Sequence, residues 1–167
     1  MMKRRLRLFG AAIFGGLLAV GCTPTSAQDG AVRAGAARNP ADSEVSGEIG
    51  ALRIQPGDCL RGLEAGLVTS AEAVSCDSSH QYEVYHRYVF PDGDYPGDTT
   101  VSAVADEQCL GAFAPFVGLD YADSVYGYTA LQPVQESWDR ADDREVLCLI
   151  GRYDGSAKTG TARGTSI

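Results

Sequence analysis

Residues 81–90 read QYEVYHRYVF, and the alternation within this stretch decides the fold. Two sets of residues alternate along this stretch. One set is Tyr82, Val84, His86, Tyr88 and Phe90, and the other is Glu83, Tyr85, Arg87 and Val89. Because successive side chains of a strand point to opposite faces, this period of two predicts a half-buried β-strand. Such a strand needs neighbouring strands and a second layer to cover its apolar face.

The second layer is predicted downstream of this strand, after the turn-rich residues 91–97. Thr99 or Thr100 can cap a helix whose apolar positions recur at steps of three and four residues, namely Val101, Val104, Ala105, Cys109, Ala112, Phe113 and Phe116. Pro115 is expected to end that helix. Extended patterns are present at residues 52–54, 58–60, 72–75, 124–131 and 145–153, and residues 133–140 indicate a helical turn ending near Trp138. We therefore predict an α+β domain with one main helix on a small antiparallel sheet of four or five strands.

The amino end has the three parts of an export signal. A basic stretch from Lys3 to Arg7 precedes an apolar stretch from Leu8 to Val20, and small residues then lead into Cys22. The apolar stretch would span about 20 Å as a helix, which is too short for a hydrocarbon core of roughly 30 Å. We therefore predict a lipoprotein signal peptide at residues 1–21, because residues 18–22 (LAVGC) resemble a bacterial lipobox. The alternative is that Cys22 is an ordinary residue near a signal-peptidase site.

Two segments have compositions that predict disorder. Residues 22–50 consist mainly of Ala, Gly, Ser, Thr and Pro with scattered charges, and residues 155–167 have the same character. Such segments bury too little apolar surface to fold on their own. We therefore predict a lipidated cysteine and disordered linker at residues 22–50, a folded domain at residues 51–154, and a disordered tail at residues 155–167.

The remaining cysteines favour covalent cross-links. Cys59, Cys76, Cys109 and Cys148 are even in number, and the signal sends the chain to an oxidising compartment, so two disulfides are expected. Three pairings are possible. We favour Cys59–Cys76, which joins neighbouring extended segments, and Cys109–Cys148, which ties the main helix to the last strand. Zinc binding is the alternative role for these cysteines, since Cys76 and His80 have the spacing of half a zinc site. A C-x-x-C pair is absent, however, so no metal or other cofactor is expected.

The charge of the chain restricts its partners. Four of the 14 basic residues precede position 8, so the chain from residue 22 onward carries 10 basic and 22 acidic residues, a net charge of −12. A surface this acidic repels phosphate backbones, which excludes nucleic acid as a partner.

Several spaced fragments then carry a family resemblance. They are Gly57-Asp58-Cys59, Val74-Ser75-Cys76-Asp77 leading to His80 and Glu83-Val84, Tyr95-Pro96-Gly97, Cys109 with Phe113, Pro133 through Trp138, and Asp143-Arg144 through Val146-Leu147-Cys148. In this order they resemble the septum-formation domain of actinobacterial envelope proteins. Asp142 departs from that pattern, because the family tends to have Gly before its Asp-Arg pair. The resemblance implies a domain outside the cytoplasmic membrane, anchored by lipid or a span, associated with septation and without an established reaction.

The candidate binding residues are His80, Glu83, Trp138 and Arg144. His80 and Glu83 are a base and a carboxylate close together in the chain, but the polar run before His80 indicates a turn whose backbone groups the imidazole can bind. No nucleophile-elbow motif is present, and two disulfides leave no free thiol in the domain, so we expect no catalytic residues.

The resulting expectation is a noncatalytic lipoprotein on the outer face of the cytoplasmic membrane. Acylated Cys22 would bind membrane lipid, and the domain would engage an unknown envelope or division protein. The alternative is a hydrolase that acts on cell-wall material through His80 and a carboxylate. Capture of a small solute is a third hypothesis, but it requires a deep pocket that so small a domain seldom encloses.

Overall fold

The computed structural model describes residues 47–63 and 68–167. Six strands form one antiparallel sheet, and their bounds are β1 (Gly47–Gly50), β2 (Cys59–Arg61), β3 (Ser70–Val74), β4 (Tyr82–Val89), β5 (Tyr126–Leu131) and β6 (Glu145–Arg152). Their order across the sheet is β1-β3-β2-β4-β6-β5. The predicted α+β class is confirmed, whereas the predicted count of four or five strands is too low. The signal peptide, Cys22 and most of the predicted linker lie outside the described residues.

The additional strand, β1, lies inside the segment that was predicted to be a linker. Gly47 pairs with Ala73 and Gly50 with Ser70, so β1 forms the edge of the sheet beside β3. The composition of these residues gave no signal because a strand is held to its neighbour by backbone hydrogen bonds, which need no large apolar side chain. The folded domain therefore begins before residue 51. Ala51–Arg53, which overlaps a predicted extended segment, is instead a single turn of 3-10 helix.

Strand β4 is the predicted half-buried strand, but its alternation is interrupted. The register against β6 shifts between Val84 and His86. After this irregularity Tyr85 joins the core cluster beneath the main helix, whereas Val84 joins the cluster on the opposite face. Tyr85 was therefore predicted on the wrong face relative to Tyr88 and Phe90, because an extra residue in a strand offsets the period of two.

The main helix, α1 (Asp98–Val117), covers one face of the sheet. Its buried side chains are Val101, Ala105, Cys109, Phe113, Phe116 and Val117, and they share a core with Val146, Cys148 and Ile150 of β6. The hydroxyl of Tyr85 donates a hydrogen bond of 2.6 Å to the carbonyl of Cys109, which ties β4 to the helix. Burial raises the pKa of Tyr85, so this hydroxyl keeps its proton.

Both predicted ends of α1 need correction. Gly97 is the N-cap, without a side-chain hydrogen bond, so neither Thr99 nor Thr100 caps the helix. Pro115 lies inside the last turn, and the helix ends instead at Gly118, which adopts a left-handed conformation with φ of 83°. A left-handed glycine is a common helix stop.

The opposite face of the sheet has its own apolar cluster, centred on Ile54, Leu60, Val84, Leu147 and Leu149. A second helix, α2 (Gln135–Ala141), follows β5 where a helical turn was predicted, but it continues past Trp138 to Ala141. The buried residues of β6 alternate between the two clusters, so this strand runs through the centre of the domain.

The structure contains two disulfides with the favoured pairing. Cys59 is bonded to Cys76, and Cys109 is bonded to Cys148. The first joins β2 to the turn that follows β3, and the second ties α1 to β6. Closing chain loops of 17 and 39 residues restricts the unfolded state, which stabilises the domain by roughly 3 and 4 kcal/mol in the chain-entropy picture.

The C-terminal segment, residues 155–167, is packed against the domain rather than disordered. Lys158 and His80 exchange two backbone hydrogen bonds of 2.8 and 2.9 Å, which makes an isolated antiparallel bridge. Ala162 is fully buried in the core beneath α1, and the backbone amide of Gly164 donates to the carbonyl of Phe116. The folded domain therefore extends past the predicted boundary at residue 154. The prediction failed because backbone pairing and one ion pair, rather than apolar bulk, hold this segment.

Candidate functional site

His80 follows the turn that begins at Cys76, forms the backbone bridge with Lys158, and is fully buried. Its Nδ1 lies 2.8 Å from the carbonyl oxygen of Ser78, within the turn that follows Cys76. Because that oxygen can only accept, Nδ1 carries the hydrogen and Nε2 is left as an acceptor. The turn thus holds the imidazole ring in one orientation and one tautomer.

The ammonium group of Lys158 lies directly against His80 and Glu83. Its Nζ donates to His80 Nε2 over 2.8 Å, to Glu83 Oε2 over 2.9 Å and to the carbonyl of Gly160 over 2.8 Å. Lys158 and Glu83 are only 7% and 4% exposed. We call His80, Glu83 and Lys158 the Lys158 cluster.

The carboxylate of Glu83 has further donors in the C-terminal segment. The backbone amide of Ala162 donates to Oε2 over 2.7 Å, and the hydroxyl of Thr161 donates to Oε1. With Lys158, three donors therefore serve one buried carboxylate. A buried ion pair is tolerated when hydrogen bonds satisfy both of its members, and this one is satisfied.

The charge state of His80 follows from its surroundings. Burial lowers its pKa below the ordinary value of 6.5, and the charge of Lys158 lowers it further, while the bond to Ser78 and the charge of Glu83 oppose these effects. The imidazole is therefore neutral at pH 7. It acts in the cluster as an acceptor for a cation.

Lys158 and Thr161 were not among the residues predicted to form the site. Both belong to the segment that was predicted to be a disordered tail, far along the chain from Glu83. The sequence held only an indirect indication of them. The Glu83 carboxylate lies within a predicted half-buried strand, and a buried carboxylate requires a cation or hydrogen-bond donors as partners.

The first disulfide lies beside the Lys158 cluster. Sγ of Cys59, a ring nitrogen of His80 and a carboxylate oxygen of Glu83 all lie within 4.8 Å of one another. These are ligand atom types that zinc prefers. In this oxidised state, however, Cys59 is bonded to Cys76 and the ammonium of Lys158 contacts the two other groups. The half-site considered from the sequence paired His80 with Cys76, whereas the structure places the sulfur of Cys59 near His80, with Cys76 as its disulfide partner.

Trp138 and Arg144 lie together at a different place. The guanidinium of Arg144 stacks 3.9 Å from the centre of the Trp138 ring, and its Nη1 donates to the Trp138 carbonyl over 2.9 Å. The indole nitrogen donates to the carbonyl of Gly93 over 2.9 Å, and the ring of Tyr95 packs on the indole at 5.4 Å. These contacts form the floor of a cleft between α2 and the loop before α1.

This Trp138 cleft is open and has a volume of about 850 Å³. Its lining residues are Gly93, Asp94, Tyr95, Gln135, Trp138, Asp139, Arg140, Ala141, Asp142 and Arg144. The accessible charge is mainly negative, because the side chain of Arg144 is only 15% exposed whereas that of its ion-pair partner Asp142 is 85% exposed. Arg140 is paired with Glu136, while Asp94 and Asp139 are exposed carboxylates.

Asp142 adopts a left-handed conformation with φ of 53° where α2 ends. Glycine is the residue that most easily adopts this conformation, and aspartate is among the few others that tolerate it. The place where the sequence departs from the family pattern is therefore a helix stop that either residue can make.

The four candidate binding residues thus fall into two groups at opposite ends of β4. Glu83 is near the start of the strand, and Phe90, which packs on Trp138 at 5.6 Å, directly follows its end. At about 3.3 Å per residue the separation is roughly 23 Å. A ligand of modest size would contact one group but not both.

Comparison with known proteins gives related sequences. The chain is 28% identical over 153 residues to the protein named "Putative lipoprotein LppN" of Mycobacterium tuberculosis, which covers 89% of this chain and 84% of that protein. The protein of the same name from Mycobacterium bovis matches equally well. No solved structure matches significantly. Within residues 47–63 and 68–167, no helix is both long and apolar enough to cross a membrane.

A family profile described as septum formation matches residues 56–165. The match begins just before β2 and includes both disulfides, both helices and nearly all of the C-terminal segment. It therefore contains the Lys158 cluster and the Trp138 cleft, and it agrees with the resemblance drawn from the spaced fragments. The chain belongs to the septum formation family.

Proposed function

We propose that this protein is a lipid-anchored component of the cell envelope whose domain binds another envelope or division protein through the Trp138 cleft. Cys22 would carry the lipid and hold the domain at the outer face of the cytoplasmic membrane. The export signal, the family and the name of the mycobacterial relatives support this proposal. The observation that carries the binding role is the open cleft with its aromatic floor, which is lined by the exposed carboxylates of Asp94, Asp139 and Asp142.

The Lys158 cluster supports a noncatalytic domain. The alternative of a wall hydrolase needs His80 and a carboxylate to reach a substrate. His80 is 0% exposed, and both of its ring nitrogens are engaged by Ser78 and Lys158. The ring nitrogens of His80 and the carboxylate oxygens of Glu83 are therefore all occupied by internal contacts.

The charge of the cleft indicates the chemistry of the partner. Exposed carboxylates at Asp94, Asp139 and Asp142 line it, and the chain from residue 22 onward carries a net charge of −12. A complementary charge favours docking and speeds encounter. The partner segment is therefore basic, with lysine or arginine side chains that reach the carboxylates.

Lipid attachment is tested by growing cells with a clickable fatty-acid analogue and measuring its incorporation. The wild-type chain should be labelled, Cys22→Ala should not be, and the neighbouring Thr23→Ala should keep the label. Labelling of Cys22→Ala would refute the anchor.

The cleft is tested with a photo-crosslinking amino acid placed in living cells. At Gln135, which lines the cleft, it should capture one partner through a basic peptide, whereas at Glu72, an exposed residue of β3, it should not. Asp94→Asn with Asp139→Asn should abolish the capture at Gln135. Equal capture at both positions, or capture that survives both substitutions, would reject the cleft as the binding site.

The hydrolase alternative is tested separately by incubating the purified chain with isolated cell walls. No release of soluble wall fragments is expected. Release that His80→Gln abolishes and His86→Gln leaves intact would overturn the noncatalytic part of the proposal while leaving the anchor standing.

A further inference from the structure

The Lys158 cluster is a cage built around a cation. Three acceptors converge on Nζ at 2.8 to 2.9 Å, namely His80 Nε2, Glu83 Oε2 and the carbonyl of Gly160. The Nδ1 of His80 binds Ser78, and histidine ligands of metals are commonly oriented by such a bond to a backbone carbonyl. The imidazole is thus already held in the tautomer that a metal ion requires.

Sulfur lies at the edge of this cage. Cys59 Sγ is within 4.8 Å of the ligand atoms of both His80 and Glu83, and the sulfur of Cys76 is bonded to it. A disulfide sulfur is a poor metal ligand, whereas a thiolate is a strong one. Reduction of this pair would give the cluster two thiols beside one imidazole and one carboxylate, with the Lys158 ammonium as the competing cation.

We propose that reduction of the Cys59–Cys76 disulfide creates a site for zinc or a similar divalent metal ion. The ligands are Cys59, Cys76, His80 and Glu83, and the metal ion takes the place of the Lys158 ammonium. Four ligands of these types match the tetrahedral preference of zinc.

The chemistry of the step is a thiol–disulfide exchange followed by metal binding. Two molecules of a low-molecular-weight thiol supply two electrons and two protons, the bond between Cys59 and Cys76 breaks, and the two reductant sulfurs become joined. The metal ion then displaces the protons of both new thiols, and the ammonium of Lys158 leaves the cage without changing its charge.

The two disulfides differ in accessibility, which makes the reduction selective. Cys109 and Cys148 are both 0% exposed in the core beneath α1. Cys76 is half-buried, in a turn at the surface. A thiol reductant therefore reaches the Cys59–Cys76 bond first, while the bond that ties the main helix to β6 stays closed.

The experiment titrates Co²⁺, a coloured substitute for zinc, into the purified full chain before and after mild reduction. The reduced chain should bind one equivalent and show the visible bands of tetrahedral cobalt together with a sulfur-to-cobalt charge-transfer band. The oxidised chain should show neither, and peptide mapping should confirm that Cys109 and Cys148 remain bonded. A reduced chain without these bands would overturn the proposal.

Variants separate this site from adventitious binding by an opened chain. His80→Gln should weaken cobalt binding by more than about 10-fold, because mutation of even the residues that support metal ligands commonly costs that much affinity. His86→Gln should leave cobalt binding unchanged. Lys158→Met should strengthen binding, because it removes the competing ammonium. Equal weakening by both histidine substitutions, or weaker binding by Lys158→Met, would refute the site.

A second measurement reports on the exposure of the C-terminal segment, through the rate of tryptic cleavage at Lys158. Trypsin cleaves after lysine, and Lys158 is 7% exposed in the oxidised chain. Saturation of the reduced chain with zinc should make cleavage at Lys158 faster than in the oxidised chain, because the ammonium has left the cage. Full protection of Lys158 in the zinc-bound chain would contradict the exchange of one cation for the other.

Discussion

The Lys158 cluster and the Trp138 cleft lie at the two ends of the same strand and have opposite characters. In the cluster, charged groups are buried and each is engaged by the others. In the cleft, an aromatic floor is covered by one arginine, and carboxylates face outward. The cluster is closed to solvent, whereas the charged groups of the cleft are exposed even where they are paired, as Asp142 is with Arg144. The contrast teaches that residue type alone does not identify a site: His80 and Glu83 have the chemistry of an active site but the surroundings of a structural one.

The largest effect is expected from breaking the cluster at its cation. Lys158→Met leaves the Glu83 carboxylate buried without its charge partner, which should lower the free energy of unfolding by about 3–5 kcal/mol. Denaturant titration of the two chains measures this. Arg140→Met is the matched control, because it removes a helical ion pair whose side chains are 78% and 66% exposed and which is worth about 0.3–0.5 kcal/mol. If the free energy of unfolding falls by a similar amount in both variants, burial does not make the Lys158–Glu83 pair more important for stability than the exposed pair.

A second substitution sharpens the same point. Adding Glu83→Gln to Lys158→Met removes the unpaired charge while leaving an amide oxygen that accepts from Thr161 or Ala162. The double variant should therefore be more stable than Lys158→Met alone, and the coupling energy of the two substitutions should lie at about 0.5–3 kcal/mol, the range for residues in contact. Additive losses in the double-mutant cycle would show that Lys158 and Glu83 act independently.

A smaller effect is expected from pH in the oxidised chain. The pKa of His80 is lowered by folding, so below its ordinary value of 6.5 the unfolded chain binds a proton that the folded chain does not. Stability should fall as the pH drops from 6.5 to the folded pKa of His80 and then level off, with a slope of at most about 1.4 kcal/mol per pH unit. The charged groups that face His80 are Lys158, Glu83 and Arg61.

Thermal unfolding at a series of pH values measures this dependence. His80→Gln should remove the contribution from this window, whereas His86→Gln should retain it. A profile that His80→Gln leaves unchanged would assign the acid sensitivity to other groups.

The smallest effect on stability is expected in the cleft. Asp94→Asn and Asp139→Asn remove exposed charges, so each should change the free energy of unfolding by less than about 0.5 kcal/mol. The same substitutions should abolish partner capture in cells. A large loss of stability would show that these carboxylates have a structural role, as the groups of the Lys158 cluster do.

Much of the fold followed from local patterns in the sequence. The alternation in β4, the helical spacing in α1 and the even cysteine count correctly indicated the strand, the main helix and the two cross-links. Each of these signals is contained in a short window of sequence. Trp138 and Arg144 were singled out separately, and the structure brings them into one cleft.

The parts of the fold that were not predicted depend on contacts between residues far apart in the chain. Strand β1 is held by backbone pairing with β3, and the C-terminal segment is held by pairing with His80 and by the ion pair of Lys158 with Glu83. Composition measures only whether a segment can bury apolar surface by itself. It carries no information about a lysine whose partner lies more than 70 residues earlier in the chain.

The pairing of the cysteines has a consequence for biogenesis. Cys59 is joined to Cys76 and Cys109 to Cys148, so each cross-link joins neighbours in the order Cys59, Cys76, Cys109, Cys148. If the chain is exported amino end first, as proposed above, its thiols emerge from the membrane in that order. An oxidase that couples thiols as they emerge would therefore generate the native pattern directly, without an isomerase to correct it.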